Sequence, residues 1–213
     1  MRNLILCLLA LVLCVSAAWK LKAVDRSWKG IERHFRPEFT GDEPQLPVVS
    51  GLEELPADLR QRIPAKGKVI LVDFRLPSSK KRLWLIKNQK IRLHCRVAHG
   101  KNTGELWATK FSNEQQSFKS CLGVFTTGKA YVGKKGLAMK LHGAEKGVND
   151  NAYDRGIVFH GGPYVSKAFL LRNGRLGRSH GCFVTEPQHN AKIIHSCAKG
   201  TKVIVVGHRS IRI

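Results

Sequence analysis

The chain has 213 residues, 43% of them hydrophobic and 24% charged, a composition that suits one well-cored domain with a short appendage and excludes disorder as the default. Its 37 Lys and Arg against 15 Asp and Glu give a net charge of +22, which predicts attraction to polyanions. The basic residues are scattered rather than gathered on a recognition helix and the N-terminus carries an export signal, so no nucleic-acid partner is expected; an anionic envelope polymer or membrane surface fits better.

Residues 1–18 read as a secretory signal peptide: Arg2 gives a positive start, residues 4–15 form an apolar run, and Ser16-Ala17-Ala18 supply small residues for cleavage. The run is shorter than the roughly 20 apolar residues that span a bilayer. Cleavage near Trp19 is therefore expected, with delivery to the periplasm or cell envelope. Cys7 and Cys14 each follow a leucine, so a lipid anchor is not expected.

Residues 19–63 carry Pro37, Pro44, Pro47 and Pro56, with Pro64 following. That spacing prevents long helices and predicts an extended N-terminal arm, with short helical character only at 27–34 and 53–62. From residue 64 to 213 the pattern is that of a catalytic-sized domain built on short strands. Candidates lie at 69–74, 82–86 and 91–97, the last two joined by the turn-like Lys87-Asn88-Gln89-Lys90, and then at 122–126, 130–132, 137–141, 157–159 and 202–206. Helical spacing occurs at 164–172, ended by Asn173-Gly174, and at 187–198, ended by Gly200. The expected fold is mainly β with one or two helices, an α+β arrangement.

Cys95, Cys121, Cys182 and Cys197 remain after the leader. In an oxidising compartment an even number suggests disulfides, and four cysteines allow three pairings. Cys95 and Cys121, in apolar strand-like stretches, read as one disulfide or two buried thiols. Cys182 has a different setting. The segment Ile157-Val158-Phe159-His160-Gly161-Gly162 delivers a histidine at a glycine-rich strand end, and Ser179-His180-Gly181-Cys182 delivers a cysteine on a glycine-rich loop. A nearby imidazole turns a thiol into a nucleophile, glycines let backbone approach a substrate carbonyl, and N–H groups at Gly181 and Cys182 would form an oxyanion hole. These are the parts that acyl transfer needs, and they predict a free thiol of low pKa in a cleft. Spacing alone leaves open that Cys182 is a buried thiol and His160 an unrelated imidazole.

His160-Gly161 together with Ser179-His180-Gly181-Cys182 resembles the signature of the L,D-transpeptidase catalytic domain, the YkuD-like domain. Val72-Asp73-Phe74, Lys81-Arg82-Leu83-Trp84, Val97-Ala98-His99-Gly100-Lys101-Asn102, Phe111-Ser112-Asn113, Leu122-Gly123-Val124-Phe125 and Gly174-Arg175-Leu176-Gly177-Arg178-Ser179 look like the murein L,D-transpeptidase branch, over about residues 68–207. The resemblance implies a YkuD-like β-sandwich and a peptidoglycan stem peptide as substrate. Cys182 would attack the bond between the diamino acid and D-alanine and hold a thioester. His160 would act as base, Gly181 and Cys182 would bind the oxyanion, and Ser179 would shape the loop. An amine acceptor gives a cross-link, and water gives carboxypeptidase activity. Gly161 and His180, from the same motifs, are expected on the substrate side. Val184 stands where many members have an arginine, and Phe183 where this branch has a proline. Arg178 or Arg155 is then the candidate for binding a substrate carboxylate, against a solvated surface charge for either.

Other readings compete. His99-Gly100 and His142-Gly143 are also His-Gly pairs; His99 reads as structural or surface, and His142 is kept as a candidate for lining the cleft. His180, Cys182, His195 and Cys197 form two His-x-Cys pairs, but residues two apart on a helix point about 200° apart, and structural zinc pairs are spaced more widely. No metal or cofactor is expected. The alternative functions are a non-catalytic basic wall-binding protein and an amidase or endopeptidase using the same Cys/His site.

Overall fold

The computed structural model describes residues 45–208. The leader at 1–18, the helical stretch at 27–34 and the arm up to residue 44 lie outside the described residues. Eight strands form one sheet: β1 (Lys68–Asp73), β2 (Leu83–Lys87), β3 (Lys90–Cys95), β4 (Gly123–Gly133), β5 (Gly136–Gly143), β6 (Val158–Gly161), β7 (Phe183–Thr185) and β8 (Lys202–Val206), in the order β3-β2-β1-β8-β4-β5-β6-β7. Pairs β1/β8 and β6/β7 are parallel, the rest antiparallel. Three helices accompany it: α1 (Ala57–Arg60), α2 (Lys167–Asn173) and α3 (Pro187–Cys197).

Alternation along the strands decides the layers. Ile70, Val72, Leu83, Leu85, Leu93, Phe125, Met139, Leu141, Phe159, Phe183, Val203 and Val205 face one core, closed by Ile193, Ile194 and Cys197 of α3. Both halves of the sheet thus wrap a single interior. Val69, Leu71, Trp84, Ile86, Ile91 and Ile204 face the other way and are covered by Leu55, Leu59 and Ile63 around α1. Burial on both faces explains why β1 reads as an unbroken apolar run. Each of those covering side chains contributes about 2 kcal/mol by leaving water.

The hairpin turn places Asn88 at φ 49° and Gln89 at φ 58°, the conformation of a tight two-residue hairpin loop. Helix α2 starts at Ser166, whose hydroxyl accepts from the Phe169 amide at 3.1 Å, and stops at Gly174 with φ 68°. Helix α3 has Pro187 in its first turn, where a missing N–H costs nothing.

Two strand expectations are corrected. Segments 122–126 and 130–132 are one strand, β4, because its register with β5 shifts between Thr127 and Ala130, a bulge that breaks the alternation without ending the strand. Strand β7 has no counterpart among the expected strands; three residues between a glycine-rich loop and a helix are too few for periodicity to reveal. The four described cysteines are free thiols, with Cys95, Cys121 and Cys197 buried.

Candidate functional site

Parallel pairing of β6 with β7 sets the site. Phe159 is level with Phe183 and His160 with Val184; the phenylalanines point into the core, so His160 and Cys182 share the opposite face. Cys182 immediately precedes β7, whose first pair is Phe159 with Phe183, so it enters the sheet beside the start of β6. The ring of Phe183 packs within 5.4–5.8 Å of the rings of Phe159, Phe74 and Phe125, fixing the strand directly behind the thiol. That accounts for Phe183 in place of proline. Val184 is fully buried with Ala98, Val165 and Leu176, leaving no room for a guanidinium there.

His160 Nδ1 lies 2.8 Å from the Gly161 carbonyl. A carbonyl can only accept, so Nδ1 carries the hydrogen and Nε2 the lone pair. That Nε2 is buried and without a hydrogen-bond partner. Desolvation lowers the imidazole's pKa, opposed by the Gly161 bond, so the ring is a neutral base at pH 7. The Cys182 thiol is half-buried and donates to the Gly156 carbonyl at 3.6 Å, with no hydrogen bond to His160. Burial pushes its pKa up. The expected low-pKa thiol is therefore corrected: desolvation outweighs the nearby cations, and the resting pair is neutral thiol and neutral imidazole.

Hydrogen bonds hold the loop bearing Cys182. Ser179 Oγ accepts from the Gly181 amide at 3.1 Å and donates to the Cys182 carbonyl at 2.7 Å, the loop-shaping role expected of Ser179. Ser120 Oγ accepts from the Gly100 amide at 3.0 Å and donates to the Gly181 carbonyl at 2.9 Å. Because the peptide is planar and trans, fixing the Gly181 carbonyl turns the Cys182 N–H the opposite way. Of the two amides expected to bind an oxyanion, the Gly181 N–H is already bonded to Ser179 Oγ. Only glycine fits at 181, since φ is 120° and a Cβ would lie 2.9 Å from the Lys119 carbonyl.

The loop docks on residues 98–101. Ser179 donates to the His99 carbonyl at 2.9 Å, Lys101 to the Ser179 carbonyl at 2.8 Å and Ala98 to the Val184 carbonyl at 2.8 Å. That platform rests on Arg82, wholly buried. Its guanidinium donates to Val97 O at 3.0 and 2.8 Å, to Leu76 O at 2.8 Å and to His99 Nδ1 at 2.8 Å. Arginine only donates, so His99 accepts through Nδ1 and gives its Nε2 hydrogen to Gly104 O at 3.1 Å. Desolvation first and Arg82 second drive His99 down to about 3. Burial lowers Arg82 to about 9, still cationic at neutral pH. His99 is thus structural.

A family model described as the L,D-transpeptidase catalytic domain matches residues 51–206. The chain belongs to this family. Among solved structures, this L,D-transpeptidase-family chain is similar to an L,D-transpeptidase from Mycobacterium smegmatis (14% identity over 66% of this chain and 58% of that one, TM-score 0.42), one from Stackebrandtia nassauensis (18%, 68% and 58%, 0.41) and L,D-transpeptidase 3 from Mycobacterium tuberculosis, solved with a faropenem-derived adduct (12%, 66% and 60%, 0.43). The match spans less than two thirds of the length of each. No curated protein matches.

The flanks of the L,D-transpeptidase-family site distribute its cations. Arg178 Nη1 bonds Glu105 Oε1 and the Lys101 carbonyl at 3.2 Å, while Arg175 pairs with the other Glu105 oxygen at 2.8 Å. Arg155 donates to Ser112 O and Lys119 O, each at 2.6 Å, and to Ser117 Oγ at 3.0 Å. Both arginines therefore fasten loops of the protein itself, which sequence could not reveal. His180 is exposed and packs on Phe118 at 4.7 Å. Gly161 serves packing: a Cβ there would lie 2.9 Å from Pro187 Cα at the start of α3. His142 is exposed and stacks on Tyr153 at 4.7 Å. Ser120 and Arg82 were not singled out from sequence as site residues. Among the described residues no three His, Cys, Asp or Glu gather as metal ligands.

Proposed function

We propose that the protein is an exported cysteine acyltransferase of peptidoglycan stem peptides, an L,D-transpeptidase with Cys182 as nucleophile. The observation carrying this reading is the unpartnered, buried Nε2 of His160 on the same sheet face as the half-buried thiol. An orphaned buried nitrogen costs stability at rest, and its lone pair, kept free of partners, is available to take a proton.

In the proposed reaction, His160 Nε2 removes the thiol proton as Cys182 Sγ bonds to the carbonyl carbon of the diamino acid. The oxygen's negative charge is met by the Cys182 N–H. The C–N bond to D-alanine then breaks, its nitrogen taking the proton from His160, and a thioester remains. An acceptor amine attacks that thioester, gives a proton to His160 and forms the new amide; the sulfur leaves and is reprotonated. Residues 1–18 would direct the chain to the periplasm or cell envelope, and the charge of +22 would hold it near anionic polymer.

The test is mass spectrometry of peptidoglycan fragments incubated with the mature protein beside Cys182→Ala. Released D-alanine with cross-linked dimers, only when the thiol is intact, is the expected result; D-alanine without dimers identifies water as acceptor. Fragments unchanged by either protein, with both binding whole wall equally, would favour the basic wall-binding alternative.

A further inference from the structure

The β4–β5 hairpin lies beside β6 in the sheet and shares the face that carries His160. Lys140 is paired with Val158, and Ala138 with His160, and paired residues project from the same side of a sheet. Lys140 and Val158 therefore form one row, beside which Cys182 leads into β7, and Ala138, His160 and Val184 form the next. Two residues before Ala138, strand β5 begins at Gly136, and its turn through Lys134 and Lys135 extends past His160. Lys135 acts electrostatically on Cys182, His160 and His180 alike.

The hairpin's charges are available. Among the described residues, neither Lys135 nor Lys140 has a carboxylate partner. The Lys140 ammonium is held between two rings, 5.4 Å from that of Tyr131 and 5.1 Å from that of Tyr153. Tyr153 belongs to the turn whose Gly156 carbonyl meets the thiol. Two tyrosine faces attract an ammonium without neutralising it, so it is positioned yet keeps its charge for an anion. Arg155 and Arg178, by contrast, are spent on internal partners, and Val184 offers no charge.

We infer that the β4–β5 hairpin is the carboxylate reader of this site, Lys135 and Lys140 recognising the C-terminal carboxylate of the residue that leaves. The inference rests on the proposed stem-peptide reaction. In that reaction His160 gives a proton to the leaving amine, so the leaving residue lies beside His160, between the tip that carries Lys135 and the row that carries Lys140, and its carboxylate is within one residue, about 3.5 Å, of that nitrogen.

The experiment compares mature wild type, Lys135→Gln/Lys140→Gln and, as a control at an exposed lysine beyond the end of β5, Lys146→Gln. Donor stems end in a free carboxylate or in a carboxamide. In parallel, Cys182 is alkylated with iodoacetate and with iodoacetamide, which differ in charge and need no stem peptide. Wild type and the control should prefer the carboxylate donor by about tenfold in kcat/KM, through KM. The double variant should treat the two donors alike, and its iodoacetate-to-iodoacetamide rate ratio should fall about twofold at low salt. An unchanged donor preference in the double variant would overturn the inference. A fall in the alkylation ratio with no turnover of either donor by wild type would instead refute the stem-peptide reaction while leaving the anion-reading hairpin in place.

Discussion

Replacing Ser120 by alanine isolates the link between the loop's architecture and the proposed chemistry. The Ser120 hydroxyl is buried and joins the Gly100 amide to the Gly181 carbonyl. Removing it strands a donor and an acceptor, each costing about 1–3 kcal/mol, so the variant should lose about 2–6 kcal/mol. For a domain of this size that is a fall in melting temperature of about 4–24 °C. The effect on rate has a different origin. Without Ser120 the Gly181–Cys182 peptide is free to rotate, and the Cys182 N–H no longer points at the developing oxyanion. Deleting an oxyanion donor costs about 10²–10³ in kcat; misaligning one should cost about 10–100-fold. Alkylation of the thiol by iodoacetamide creates no oxyanion and should stay within about threefold of wild type, provided both assays run well below the variant's melting temperature. Acyl transfer falling while alkylation holds is the expected pattern. Wild-type acyl transfer in Ser120→Ala, or a parallel fall in both rates, would refute the assignment of Cys182 N–H as the oxyanion donor.

Further outcomes follow from the same residues. Arg82→Met leaves Val97 O, Leu76 O and His99 Nδ1 unpaired in the interior and should destabilise by about 3–5 kcal/mol in urea titration; Arg82→Lys, lacking the fork, should recover only part of it. His99 is held at about 3 against an ordinary 6.5. Its folded pKa is lowered, so the stability it supports is complete above about pH 6.5 and is lost as pH falls toward 3. Between pH 6 and 4 wild type should lose about 2–3 kcal/mol more than His99→Gln, at about 1.4 kcal/mol per pH unit; equal losses in urea titrations at the two pH values would contradict this. For the reaction, the base must be neutral and the thiol protonated at rest. The acid limb of kcat/KM should thus lie below the ordinary imidazole value and the alkaline limb above the ordinary thiol value. Strong thiolate absorbance at pH 7 that disappears in Cys182→Ala would indicate a pre-formed ion pair instead.

Sequence disclosed what depends on local pattern. The apolar run of β1, the hairpin turn at Asn88-Gln89, and the helices closed by Asn173-Gly174 and begun at Pro187 all follow from periodicity and punctuation. His160 and Cys182 were legible because each sits at a glycine-rich strand end. What escaped depends on partners distant along the chain. Ser120 meets Gly181, 61 residues away; Arg82 reads as an ordinary charge at a strand end, yet it is buried beneath the platform of the Cys182 loop. Arg155 and Arg178 look like free cations until loops 38 and 73 residues away claim them. The direction of the Cys182 pKa was also hidden, because a motif shows which groups are near a thiol but not how much water is excluded from it.

The central claim is that Cys182 carries the acyl group, and intact-protein mass spectrometry during turnover of a tetrapeptide stem tests it most directly. The account predicts an adduct equal to the donor less D-alanine, mapped to the peptide containing Cys182, discharged by an acceptor amine and absent from Cys182→Ala. Release of D-alanine by Cys182→Ala at the wild-type rate, or an adduct on another residue, would contradict it.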